Sequence, residues 1–149
     1  MYGDTSVIRG LARSLRDQAA DIRAEADRLL GQAEHTHWTG LAADAMRLRA
    51  RDRAGALRRT AGLYDDAAQA LDRHADEVDR LKDLIAAIER RVHQLVDAAR
   101  DRIADLAHGL ADGLRRALPD PVDEALDRFV PPSHGSRHWL DVDLPGVAR

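Results

Sequence analysis

With 149 residues, the chain has room for one domain, or for a small domain followed by a tail. Charged residues make up 33% and aromatics only 3%, with the apolar share mostly Ala and Leu, a composition that suits narrow helix–helix seams and excludes a wide globular core. The net charge of −3 leaves no positive excess to neutralise a phosphate backbone, which argues against nucleic acid, and the absence of cysteine excludes disulfides and thiolate metal sites.

The opening stretch MYGDTSVIRGLARSLRD has no basic start followed by an apolar run, so no cleavable secretory signal is expected. No window approaches the eighteen or so uncharged apolar residues of a membrane span. Any export is therefore expected to follow a route that reads no N-terminal signal.

Asp4, Thr5 and Ser6 are candidate N-caps for a first helix. From there Ile8, Leu15, Ile22 and Leu29 recur every seven residues, and Ala12, Ala19, Ala26 and Ala33 recur with the same period. This is a coiled-coil seam with large residues in one row and Ala in the other, and the small row permits close approach of a second helix. The intervening charges read as a solvated face, with Arg13–Asp17 and Arg23–Asp27 at helical i,i+4 spacing.

The period is interrupted at His35-Thr36-His37-Trp38-Thr39-Gly40. Gly40 reaches backbone angles closed to other residues, which suits a tight turn. Trp38 is expected to close the end of the seam as a large buried side chain, its indole N–H finding a carbonyl. His35 and His37 are too few ligands for a metal, and no carboxylate cluster stands beside them.

A second helix is predicted from Leu41 to about Leu118, a stretch without proline. Ala50, Leu57, Tyr64, Leu71, Val78, Ile85, Val92, Ala99 and Leu106 keep the seven-residue spacing; the companion row runs Ala54, Ala61, Ala68 and Ala75, then Leu81, Ile88 and Leu95. Such a helix would be about 115 Å long against about 45 Å for the first, so the first would cover it only to roughly Leu71. The later rows would face water unless another chain covers them or the helix folds back. Gly109 and Gly113 are its weak points, and a dimer is the favoured solution. The order of charges supports antiparallel pairing, with Asp21, Glu25 and Asp27 facing Arg47 to Arg59 and with Arg9 and Arg13 facing Asp65 and Asp66; a second antiparallel copy would satisfy the same pattern.

Pro119 ends the helix and Pro121 suits the first turn of a short helix running to Phe129. The remaining tail lacks a helical period, and Trp139, Leu140, Val142 and Leu144 alternate as in an extended docking peptide. His134 and His138 have i,i+4 spacing, but on a Gly- and Ser-containing stretch that argues against a metal site. The expected organisation is a helical hairpin over residues 1–118 and a Pro/Gly-rich tail over 119–149. No phosphate loop, nucleophile elbow or zinc motif occurs, so no catalytic, cofactor or metal residues are predicted and an enzyme is not expected.

The turn Trp38-Thr39-Gly40 between heptad helices resembles the WXG family of type VII (ESX-like) secretion substrates, of the actinobacterial type and with a C-terminal extension. The resemblance covers residues 1 to about 90. It implies an all-α antiparallel hairpin that dimerises as a four-helix bundle with a second copy or another WXG-like hairpin, a type VII secretion ATPase as a further partner, and a destination outside the cytoplasm or in the envelope. On this reading Ile8, Leu15, Ile22, Leu29, Leu57, Tyr64, Leu71, Val78, Ile85 and Val92 form the interface. The family's signal, a Tyr followed four residues later by an acidic residue, is not met at Tyr64, which is followed by Ala68; Trp139 and Asp143 have a similar spacing in the tail. A partner carrying the signal, or a longer chain of which this is the targeting domain, would also account for its absence. The alternative is a cytoplasmic coiled-coil scaffold in which the tripeptide is incidental. Membrane binding is not expected, because the seam is half Ala where a lipid-binding face needs bulky aromatics.

Overall fold

The structure, a computed structural model, describes residues 4–111 and 118–147. These form an all-α fold: α1 spans Thr5–His35, α2 spans Leu41–Ala111, α3 spans Pro121–Asp127, and a 3-10 helix spans Arg137–Asp141. Residues 112–117, which hold the predicted weak point Gly113 and the last stretch of the helix expected to run to about Leu118, lie outside the described residues. The chain divides into two compact units, and the boundary falls between Asp79 and Arg80, inside α2.

In the first unit, α1 begins at Asp4, whose carboxylate accepts from the Ser6 N–H at 2.9 Å and satisfies one of the free donors of the first turn. It packs antiparallel to α2, and the cross-helix polar contacts fix the register. Thr5 and Arg9 reach Asp79, Arg9 also reaches Asp76, Arg16 pairs with Asp72, Arg23 with Asp65, and Asp27 with Arg58. Arg9, Arg16 and Arg23 climb α1 by sevens while Asp79, Asp72 and Asp65 descend α2 by sevens.

That register brings Ala12 level with Ala75, Ala19 with Ala68, Ala26 with Ala61 and Ala33 with Ala54. All eight are buried. Two facing rows of methyl groups let the helices close up along a thin seam that no larger side chain could occupy.

The pairing corrects several expectations. Helix α1 covers α2 as far as Asp79 rather than Leu71. Arg9 meets Asp76 and Asp79 instead of Asp65 and Asp66, Glu25 pairs with Arg28 on its own helix, and Arg23 and Asp27 reach across to α2 instead of to each other. The cause lies in the linker. Thr36–Gly40 carries the chain onward by up to about 16 Å before α2 turns back. Helix α2 then needs roughly ten residues, about 15 Å of rise, to come level with the end of α1.

In the second unit the tail folds back on α2. Asp120 caps α3 by accepting from the Val122 N–H, and Pro121 occupies its first turn. Leu126 of α3 and Trp139 of the 3-10 helix join Ile85, Val92, Val96 and Ala99 of α2 in one buried cluster, flanked by Ile88, Leu95, Phe129, Leu140, Val142, Leu144 and Val147. Arg102 forks onto Asp123, and Arg100 donates its Nε–H to Asp127. The expectation that Ile85 and Val92 would face water without a second chain is thereby overturned: they are 2% and 0% exposed within this chain alone. The predicted extended tail peptide is instead a 3-10 turn with α3 before it, because Trp139 has an apolar row of its own chain to bury against.

Candidate interaction face

On each helix of the hairpin the buried Ala row is flanked by two others. On α1, Ile8, Leu15, Ile22 and Leu29 lie about 50° to one side and Arg9, Arg16 and Arg23 about 50° to the other. On α2, Leu57, Tyr64, Leu71 and Val78 take one side, and Asp65, Asp72 and Asp79 the other. Because the Arg and Asp rows meet each other, they occupy one edge of the seam. The two large rows must then emerge together along the opposite edge. All eight of these side chains are half-buried.

The hairpin therefore has a charged edge and an apolar edge. Along the charged edge, hydrogen bonding and attraction to Asp79, with Asp76 beside it, hold the Arg9 guanidinium above the ordinary arginine range. The main effect of such exposed pairs is to select register and orientation. The apolar edge carries no charge in either row. Its surface is aliphatic apart from the Tyr64 ring.

At the turn, Gly40 has φ +102°, as expected of it. Trp38 departs from expectation: it is 51% exposed and does not close the seam. The first turns of α2 lie beyond the end of α1, so no second helix is there to bury an indole. Leu41 and Leu48 are exposed as well, whereas Ala43 and Ala50 of the same turns are buried. What holds the linker is Arg47, whose guanidinium donates to the carbonyls of Thr36 and Trp38 at 3.1 and 2.8 Å and also pairs with Asp44. His35 hydrogen-bonds the Gly31 carbonyl, and Thr36 donates to that of Gln32, which satisfies carbonyls at the end of α1.

In the tail unit, Trp139 is buried and donates its indole N–H to the Ser133 carbonyl at 3.1 Å, while Asp143 is exposed. The aromatic of the proposed tail signal is thus engaged by α2. His93 meets Trp139 edge to face, with ring centroids 5.7 Å apart.

The pairing of Glu89 with His134 went unrecognised in the sequence, where His134 is weighed only with His138 as a metal ligand. The Glu89 carboxylate, buried among apolar neighbours, takes a hydrogen bond from His134 Nδ1 at 2.8 Å and a longer one from the Gly135 N–H. The His134 hydrogen bond holds its pKa below the usual carboxylate range. A signal was present: the row Ala54, Ala61, Ala68 and Ala75 continues through Lys82, Glu89 and Val96, and a charge in a seam row requires a partner. Asp123 is the other buried carboxylate among the described residues, held low by Arg102. No group of three or more metal-ligating side chains occurs among the described residues, and no described helix is long and apolar enough to cross a membrane. Comparison with protein-family models, curated proteins and solved structures finds no match to this chain.

Proposed function

We propose that this chain is a non-enzymatic helical interaction protein that dimerises through the apolar edge of its hairpin, as a substrate or targeting adaptor resembling the WXG proteins of type VII secretion. The observation that carries this reading is the segregation of Ile8, Leu15, Ile22, Leu29, Leu57, Tyr64, Leu71 and Val78 onto one edge, only partly buried, with the ion pairs on the other. Two such hairpins laid edge to edge would form a four-helix bundle, with a second copy or a different hairpin as the mate. The later residues of the expected interface, Ile85 and Val92, are left out of this surface because the tail covers them.

Light scattering on the purified chain tests the dimer, with Leu15→Glu and Leu71→Glu expected to abolish it while leaving helicity intact. A monomer that also captures no hairpin from its own lysate would overturn the dimer reading. Export is tested by probing culture filtrate of cells with and without a functional type VII ATPase; export independent of that ATPase would remove the secretion part. The exposure of Trp38 favours a second reading, a coiled-coil scaffold in which Trp-Thr-Gly plays no part in recognition. Trp38→Ala separates the two: an adaptor loses export and keeps its dimer, whereas a scaffold loses neither its dimer nor its cellular partners.

A further inference from the structure

The tail and α2 meet around two buried carboxylates with different partners. Asp123 is forked by Arg102, an arginine whose charge is permanent at any physiological pH. Glu89 is met by His134, whose side chain is 92% exposed and exchanges its proton with solvent without the tail having to open. His93 stands one turn further along α2, close enough to act electrostatically on Glu89, with its ring against Trp139. Lys82 lines the cavity shared by Glu89, His134 and Gly135 and adds a further positive group on that side.

Protonating these imidazoles changes two contacts in the same direction. His134 then meets Glu89 as an ion pair instead of a neutral donor to a lone buried anion, and charge-assisted hydrogen bonds are about twice as strong. Protonated His93 beside the Trp139 ring gains a cation–π attraction, its centroid lying within the roughly 6 Å range of that effect. We infer that the tail is a proton-tightened strap: charging His134 and His93 beside the Glu89 carboxylate strengthens its hold on α2, and discharging them loosens it. Loosening exposes Ile85, Val92, Val96 and Ala99, a further stretch of apolar helix.

The inference does not depend on the proposed secretion role, and its readout lies in the tail unit alone. In Trp38→Phe, Trp139 is the sole tryptophan and reports the strap directly. Acrylamide quenching of Trp139 is expected to be about twofold stronger near pH 8 than near pH 6. Hydrogen exchange over α3 and the 3-10 helix should accelerate across the same interval while α1 is unchanged. Adding Glu89→Gln should flatten the response. Adding His134→Gln, which keeps a neutral donor beside Glu89 and removes only the ionisable ring, should halve it or more. A flat profile from pH 6 to 8, or a profile unchanged by both His134→Gln and Glu89→Gln, overturns the inference.

Discussion

At the scale of single residues, the turn and the tail depend on a few groups whose loss has a definite sign. Gly40 at φ +102° has no equivalent among L side chains, so Gly40→Ala should cost about 1–2 kcal/mol in thermal or urea unfolding. Trp38→Ala, removing a half-exposed indole, should cost less than about 1 kcal/mol. That ordering, glycine above tryptophan, is the reverse of what a buried Trp38 would give. The carboxylates of Glu89 and Asp123 are both held below their ordinary range by partners present only in the folded state. The stability that each gains from being ionised is therefore present above the ordinary carboxylate range and is lost as pH falls through the lowered values. Acid titration followed by Trp139 emission should show the tail unit releasing there, and Arg102→Gln should move that release to higher pH.

At the scale of elements, the hairpin is specified by three parallel rows with one period. The Ala rows set how closely α1 and α2 approach, the Arg and Asp rows choose the register, and the large rows stay partly buried along the opposite edge. Replacing a seam methyl by a larger side chain must force the helices apart; Ala19→Leu or Ala68→Leu should destabilise the hairpin by about 1–3 kcal/mol in chemical denaturation. Leu15→Ala on the apolar edge should instead act mainly on self-association, measured by the concentration dependence of light scattering. The heptads made these rows legible before any coordinates, as did the interruption that starts α2 at Leu41. The register was not legible, because periodicity is unchanged by sliding one helix a heptad along the other. The deciding quantity was the length of the Thr36–Gly40 linker in space, clamped by Arg47.

At the scale of the whole molecule, the chain has two buried regions of different character, a thin alanine seam and a compact cluster around Trp139. The cluster depends on one large side chain, so Trp139→Ala should remove about 3–5 kcal/mol from the tail unit. Hydrogen exchange should then show α3 and the 3-10 helix unprotected while the seam of α1 keeps its protection, because none of the seam alanines belongs to that cluster.

The amino-acid order alone was enough to determine that the chain is helical, where it reverses, and which residues share a face, since these follow from local propensity and from the 3.6-residue turn. Whether Ile85 and Val92 are covered by a neighbour or by the same chain was decided only by the tertiary structure. An aperiodic segment carries no local record of what it will pack against, and Trp139 and Leu126 reach α2 only when the chain folds back from Pro119. The pairing of Glu89 with His134 was decided in the same way, by a contact between residues that no repeat connects.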